Sequence, residues 1–230
     1  RELVDCDATR IRADPIRYFD KMVAPFGRLL TRRVTFFGAE SVGKSTLSRS
    51  VATELGAHRL TEWARPYLEL AGPEVTPDAM ADIWIGQRAL QRSAARLEPR
   101  PFVVCDTDLF STLGYWEMYD PDSVPHGPGG LAADAVADRS DLYIVCPSNI
   151  EFVPDPLRYG VDRRETSDQY WIDLLERYFQ LRERRGLVYH ADCSTDVRDS
   201  YGQFVIEAST GPEHLGEYFV EVTRLLCEHV

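Results

Sequence analysis

The segment with the clearest chemical meaning is Gly38-Ala39-Glu40-Ser41-Val42-Gly43-Lys44-Ser45. Its pattern, Gly-x-x-x-x-Gly-Lys-Ser, lets the backbone wrap closely around a polyphosphate with its N–H groups pointing inward. Lys44 is expected to reach the β- and γ-phosphates, and the Ser45 hydroxyl to coordinate Mg²⁺. The sequence therefore predicts a binding site for ATP with magnesium, to which the loop and the helix start contribute Gly38, Glu40, Ser41, Val42, Gly43, Lys44, Ser45 and Thr46.

Two carboxylates follow the apolar run at 102–105, in Asp106-Thr107-Asp108. A carboxylate at the end of a strand can hold the water shell of magnesium or take a proton from an attacking hydroxyl. Asp106 is the candidate for both tasks. Asp108 is a candidate substrate residue, with a helix cap as its structural alternative.

Residues 61–67, Thr-Glu-Trp-Ala-Arg-Pro-Tyr, combine a carboxylate, a guanidinium and two aromatic rings. They follow a predicted strand, and ligands bind near the carboxyl ends of strands in open α/β sheets. Glu62 could accept hydrogen bonds from sugar hydroxyls or act as general base. Trp63 or Tyr67 could stack on a heterocycle, although for either ring alone a place in the core is the better expectation. Arg65 is a further candidate for substrate binding.

Arginines gather in the segment 147–165, which is rich in Pro, Asp and Arg. Arginine side chains that clamp a transferring phosphoryl group stabilise the charge of the transition state. The segment is therefore a candidate lid over ATP, with Arg158 and Arg163 in catalysis and Arg164 in nucleotide binding. A solvated charge cluster is an equal alternative for each arginine.

The elements that must position these residues alternate along the chain. Apolar runs predict five strands, at 34–37, 58–61, 102–105, 142–146 and 204–206. Helical spacing and a capping pattern at Thr76-Pro77-Asp78 predict helices over 45–55, 77–97, 108–119, 170–185 and 212–228. Residues 120–130 are predicted to form a loop. This alternation predicts a three-layer α/β domain with a parallel sheet.

Composition limits the partners of the chain. Its 230 residues carry a net charge of −11, which repels nucleic acid phosphates, so we expect no nucleic acid partner. No run approaches 18 apolar residues and the N-terminus has no apolar signal region, so we expect neither a membrane span nor a signal peptide. The scattered cysteines are typical of free thiols in a reducing cytoplasm. We expect a cytoplasmic protein with a small-molecule substrate, and assembly into a homo-oligomer stays open.

Together these motifs resemble the ribosylnicotinamide kinase domain of NadR-type proteins. The resemblance spans about residues 33–185 and rests on Gly-Ala-Glu-Ser-Val-Gly-Lys-Ser-Thr at 38–46, Glu-Trp-Ala-Arg at 62–65, Cys-Asp-Thr-Asp at 105–108 and Asp-Leu-Tyr-Ile-Val at 141–145. It implies a three-layer P-loop kinase fold with a five-stranded parallel sheet over residues 33–230. It also implies transfer of the ATP γ-phosphate to the 5′-hydroxyl of nicotinamide riboside, with Asp106 or Glu62 aligning the hydroxyl.

The N-terminal segment Asp-Ala-Thr-Arg-Ile-Arg-Ala-Asp-Pro at 7–15 resembles the end of the nicotinamide mononucleotide adenylyltransferase domain that precedes the kinase in such proteins. No His-x-Gly-His motif occurs in the sequence, so we expect these residues not to catalyse adenylyl transfer. Residues 1–32 are expected to form an arm or linker. The segment 187–210 is longer than the family pattern.

Two other functions stay open. One is a kinase for another small molecule, such as a deoxynucleoside. The other is a regulatory module that senses ATP or GTP and binds a partner. A switch GTPase should carry an Asn-Lys-x-Asp motif, and the sequence has neither this motif nor any lysine after Lys44.

Overall fold

A parallel sheet carries the site. The structure, a computed structural model, describes residues 7–13, 15–119, 129–146, 148, 152, 157, 167–179, 187–190 and 206–207. Four central strands lie in the order β2-β3-β1-β4. They are β1 (Arg32–Phe37), β2 (His58–Leu60), β3 (Phe102–Cys105) and β4 (Leu142–Val145), and all their pairings are parallel.

The sheet is covered on both faces. Every residue of β3 and β4 is buried, as are the last four of β1. Because successive side chains point to opposite faces, this burial requires helices on both sides, as in other parallel sheets. Burial of each large aliphatic side chain, such as Leu142, stabilises the fold by about 1.5–3 kcal/mol. The predicted three-layer α/β architecture is confirmed.

Eight α-helices lie within the described part of the chain. They are α1 (Ala8–Ala13), α2 (Ala24–Leu30), α3 (Lys44–Glu54), α4 (Ala64–Ala71), α5 (Pro77–Ser93), α6 (Leu109–Tyr119), α7 (Leu131–Ala137) and α8 (Ser167–Phe179). Helix α5 begins as predicted, because the Thr76 side chain accepts a hydrogen bond from Ala79 N at 3.1 Å. A 3₁₀ turn, Ala94–Arg96, then continues it. Short 3₁₀ structure also occurs at Phe19–Lys21.

The predicted strand count of five differs from the structure. The four central strands match the prediction closely, but two short strands, β5 (Leu187–His190) and β6 (Ile206–Glu207), both pair with β4. β5 pairs with its first half and β6 with its second. Of these two, β6 overlaps the predicted strand at 204–206, whereas no strand was predicted at the position of β5.

The predicted helix at 212–228, most of the predicted loop at 120–130 and most of the predicted lid at 147–165 lie outside the described residues. Helices α4 and α7 were not predicted. They are only eight and seven residues long, too short to show a clear helical period.

The N-terminal arm packs on the amino end of the sheet. Phe19 is buried, and a Cβ added to Gly27 would lie 3.0 Å from Pro99 Cβ. The Thr31 hydroxyl donates to the Arg100 carbonyl at 2.8 Å, in the segment that leads into β3. The boundary at residue 32 stays a prediction. Among the described helices, none combines the length and the apolar character that a bilayer crossing requires.

Candidate nucleotide and acceptor site

The glycine-rich loop turns tightly between β1 and α3. Gly38, Ser41 and Gly43 have φ angles of 127°, 58° and 83°. A Cβ on Gly38 would lie 2.7 Å from the Cys146 carbonyl oxygen, so only glycine fits where the loop passes the end of β4. Left-handed residues spaced along a loop in this way help its backbone to form a concave binding site for anions. The loop ends at the N-terminus of α3, whose dipole favours the same anion.

The Lys44 ammonium lies over this loop. Its Nζ donates to the Gly38 carbonyl oxygen at 2.9 Å and also to the carbonyl oxygen of Ala39. Both acceptors are neutral and belong to the loop itself. Phosphate oxygens at the same place would be stronger, charged acceptors for this group.

Asp106 lies beside the first turn of α3. Arg59, on β2, donates from Nη2 to Asp106 Oδ2 at 2.8 Å and to the Ser45 carbonyl oxygen at 3.3 Å. The two predicted metal residues, Ser45 and Asp106, thus both accept a hydrogen bond from the Arg59 guanidinium. Asp106 is 4% exposed, and its Oδ1 is buried without a hydrogen-bond partner among the described residues.

A buried carboxylate oxygen without a partner is unfavourable, so it marks a place suited to a cation or its bound water. Magnesium in phosphate sites takes few protein ligands, keeps several waters and binds substrate phosphates. Ser45 and Asp106 fit that kind of site.

A cavity of about 340 Å³ opens from the loop toward α4, α5 and α6. This volume is in the range of small-molecule sites. The phosphate end is polar. It is lined by the carboxylate of Glu62 and by seven consecutive residues of the loop and the start of α3, namely Glu40, Ser41, Val42, Gly43, Lys44, Ser45 and Thr46. Arg65 also lines the cavity and pairs with Glu69 at 3.8 Å.

The far end of the cavity is apolar and aromatic. Its lining comes from Leu68 on α4, from Met80 and Ile83 on α5, and from Tyr115 and Tyr119 on α6. The Tyr115 ring is held edge-on by Trp171 of α8, with ring centroids 5.0 Å apart. Sequence reasoning missed both tyrosines, although their i, i+4 spacing on one helix face was visible in the sequence.

Gln87, on α5, joins the two ends. Its Oε1 accepts from Trp63 N at 2.8 Å and its Nε2 donates to the Thr107 carbonyl oxygen at 3.4 Å. The side chain is fully enclosed yet lines the cavity, so the amide fixes the start of α4 against the β3–α6 turn. Nothing in the sequence distinguished this glutamine from an ordinary helix residue.

The two aromatic residues predicted to stack on substrate lie outside this cavity as the described residues form it. Trp63 packs on α5, where a Cβ added to Gly86 would lie 1.9 Å from Nε1, and it is 39% exposed. The Tyr67 hydroxyl donates to Asp82 Oδ2 at 3.0 Å. Trp63 and Tyr67 therefore face α5, and the aromatic lining comes from α6 instead.

Asp108 also lies outside the cavity lining. Its Oδ1 accepts from Phe110 N at 2.9 Å and from Ser111 N at 3.4 Å, and its Oδ2 accepts from the Tyr143 hydroxyl. Burial raises the pKa of this carboxyl to about 6. The structure therefore places Asp108 as the cap of α6, which was the alternative to its substrate role.

The lid arginines Arg158, Arg163 and Arg164 lie outside the described residues. Leu157, which is described, lines the cavity. The segment 147–165 therefore reaches the cavity at one point at least, and the roles of its arginines stay predictions.

The fold and the loop together define a P-loop nucleotide-binding protein with a kinase-like α/β fold. A family model described as an AAA domain matches residues 33–198, and the chain belongs to that family.

The relatives found are NadR proteins, as the motifs indicated. The chain is 27% identical over 173 residues to the trifunctional NAD biosynthesis/regulator protein NadR of Escherichia coli (strain K12). The match covers 72% of this chain but 41% of that protein, so the chain spans less than half the length of this relative.

Two solved structures share the fold. A NadR protein in complex with NR superposes with a TM-score of 0.67 and 24% identity, over 89% of this chain and 60% of that one. A NadR protein in complex with NAD and AMP-PNP superposes with a TM-score of 0.66 and 23% identity, over 85% and 53%. The predicted P-loop kinase-like fold is confirmed.

Proposed function

We propose that this chain is a magnesium- and ATP-dependent kinase that phosphorylates the 5′-hydroxyl of nicotinamide riboside and releases nicotinamide mononucleotide. The observation that carries the proposal is the shape of this cavity, whose P-loop end suits a triphosphate and whose far end is aromatic. A group-transfer enzyme needs both halves in contact, because the acceptor hydroxyl must meet the γ-phosphate.

The phosphate end supplies charge and position. The loop backbone and the start of α3 bind the β- and γ-phosphates, and Lys44 moves from the Gly38 carbonyl to a phosphate oxygen. Ser45 and Asp106 hold magnesium, directly or through water. When bound, the metal neutralises charge on the β- and γ-phosphate oxygens. The expected lid arginines Arg158, Arg163 and Arg164 complete this end.

The acceptor end suits a flat, cationic ring. Tyr115 and Tyr119 present aromatic side chains, and a cation over an aromatic face is attracted by its quadrupole. Glu62 adds a carboxylate to the same cavity. The 27% identity to a protein of NAD biosynthesis supports a pyridine nucleoside as the acceptor.

Between the two candidate bases, Glu62 suits the acceptor hydroxyl better. A general base must lie within hydrogen-bond reach of the proton that it accepts. Glu62 lines the cavity, whereas Asp106 does not and has one oxygen bound to Arg59. We therefore assign Glu62 to the hydroxyl and Asp106 to the metal.

A panel of acceptors tests the proposal. The protein is incubated with Mg-ATP and, separately, with nicotinamide riboside, nicotinamide, thymidine, deoxycytidine and adenosine, and ADP release is followed. We expect turnover with nicotinamide riboside far above the others. Turnover with a deoxynucleoside alone would favour the other small-molecule kinase. A rate of ADP release that is the same with and without every acceptor would contradict both kinase functions and favour the regulatory module.

A further inference from the structure

Arg59 is a residue of the site that no motif contains. It lies in the middle of β2, the short edge strand, and its side chain reaches across to α3 and to the end of β3. Its Nε donates to the Ser48 hydroxyl at 3.0 Å, while its Nη2 donates to the Ser45 carbonyl at 3.3 Å and to Asp106 Oδ2 at 2.8 Å. One planar group thus connects three elements that surround the phosphate loop.

The planarity of the guanidinium has a geometric consequence for Asp106. With Nε fixed on Ser48, the direction of Nη2 is set, and so is the position of the carboxylate oxygen that it binds. The pair is little exposed, at 20% for the Arg59 side chain and 6% for that of Asp106. Solvent therefore competes weakly for these contacts.

The two carboxylate oxygens of Asp106 differ in their hydrogen bonding. Oδ2 is bound by Arg59, whereas Oδ1 is buried and has no partner among the described residues. If the pair served only to join β2 to β3, a fork of two parallel hydrogen bonds would satisfy both oxygens better. The observed one-sided arrangement leaves Oδ1 for another ligand.

We propose that Arg59 is a positioning residue for the magnesium–nucleotide site, which holds Asp106 by Oδ2 and so keeps Oδ1 available to the metal or its water. The inference rests on the nucleotide-binding part of the proposed function and not on the identity of the acceptor. Ser48, which is fully buried one turn after Ser45, orients Arg59 in turn.

The test measures binding rather than turnover. Calorimetry gives the affinity for AMP-PNP, first in EDTA and then over a magnesium series, for the parent, Arg59→Met, Arg59→Lys and Ser48→Ala. Arg49→Met is the matched control, since Arg49 is an exposed arginine on the same helix α3. Thermal unfolding in EDTA reports the purely structural effect of each change.

We expect Arg59→Met to bind AMP-PNP in EDTA nearly as the parent does, while the tightening caused by magnesium falls by roughly 10–100-fold, as for other residues that orient a metal ligand. Arg59→Lys keeps the charge but cannot reach all three acceptors. Its gain in AMP-PNP affinity on adding magnesium should therefore lie between those of the parent and Arg59→Met. Ser48→Ala should lose the least, and Arg49→Met none.

Three results would overturn the inference. One is full magnesium tightening in Arg59→Lys and Ser48→Ala, whatever the behaviour of Arg59→Met. A second is a lowered unfolding temperature as the only effect of all three changes. A third is tighter magnesium binding in Arg59→Met, because Arg59 would then compete with the cation. A parent protein that binds no AMP-PNP at any magnesium concentration would instead contradict the proposed function.

Discussion

The two ends of the cavity are built in different ways. At the phosphate end, most of the binding groups come from one continuous stretch, the loop and the first turn of α3, and many of them are backbone N–H groups. At the acceptor end, side chains from α4, α5 and α6 meet only after folding. Backbone geometry leaves a readable pattern of glycines in a sequence, whereas convergence of distant side chains leaves none. The phosphate end should therefore tolerate little change, and the acceptor end should be where specificity is set.

The largest effect should come from the phosphate end, at Lys44. Lys44→Ala removes the only ammonium that the structure places over the loop, among the residues it describes. Since charge develops on the transferred phosphoryl group, we expect kcat/KM to fall by roughly 10³-fold or more. The other lysine provides the matched control, because Lys21 lies on the N-terminal arm and pairs with Asp20. Steady-state kinetics should show that Lys21→Ala has the kcat/KM of the parent. A fully active Lys44→Ala would contradict the assignment of the loop to phosphate binding.

The next largest effect separates Glu62 from Asp106. Glu62→Gln keeps the shape of the side chain but removes the base, so kcat should fall by about 10²-fold or more while ATP affinity is unchanged. Asp106→Asn should instead weaken the dependence of the reaction on magnesium. Kinetics over a magnesium series would show this split. The same magnesium response in both variants would mean that the two carboxylates do not divide the tasks as assigned.

The acceptor end should respond at Tyr119 and not at Trp63. Loss of one stacking ring costs about 1–3 kcal/mol, so Tyr119→Ala should raise KM for the acceptor by roughly tenfold with little change in KM for ATP. Trp63→Ala should leave both constants within about twofold, because its ring packs on Gly86 outside the cavity. The reverse pattern would restore Trp63 as the substrate aromatic.

A smaller effect should come from the support beneath the two tyrosines. A Cβ on Gly114 of α6 would lie 2.4 Å from the Trp171 ring, so Gly114→Ala should destabilise the protein by about 1–3 kcal/mol through overpacking. A Cβ on Gly129 would meet nothing within 4 Å, which makes Gly129→Ala the control. Denaturant unfolding measures both. Equal stability of the two variants would show that α6 and α8 are not in close contact.

The sequence predicted the α/β fold and the P-loop because both leave local patterns. The four central strands are short apolar runs, and the loop is a contiguous motif. The pair Asp106 and Asp108 shows the limit of such patterns, since two carboxylates two residues apart have separate surroundings. Asp106 lies at Arg59 and α3, whereas Asp108 is bound by Tyr143 and caps α6.

The acceptor end could not be predicted in the same way. Gln87 looks like any polar residue of an amphipathic helix until its contacts with Trp63 and Thr107 are seen. The same limit applies to Arg59 at the phosphate end, because in sequence it looks like any charged residue of a short strand. Trp63 and Tyr67 follow β2 directly in sequence, where substrate contacts are expected, but the Trp63 ring packs on Gly86 and the Tyr67 hydroxyl donates to Asp82, both on α5.

The central claim is that both ends of the cavity act on one phosphoryl group, and ³¹P NMR of the protein with Mg-ATP and nicotinamide riboside tests it most directly. The account predicts that the γ-phosphate resonance is replaced, in equal amount, by that of a phosphomonoester, and that this conversion requires both Lys44 and the riboside. Loss of the γ-phosphate to inorganic phosphate, at the same rate with and without the riboside, would contradict it.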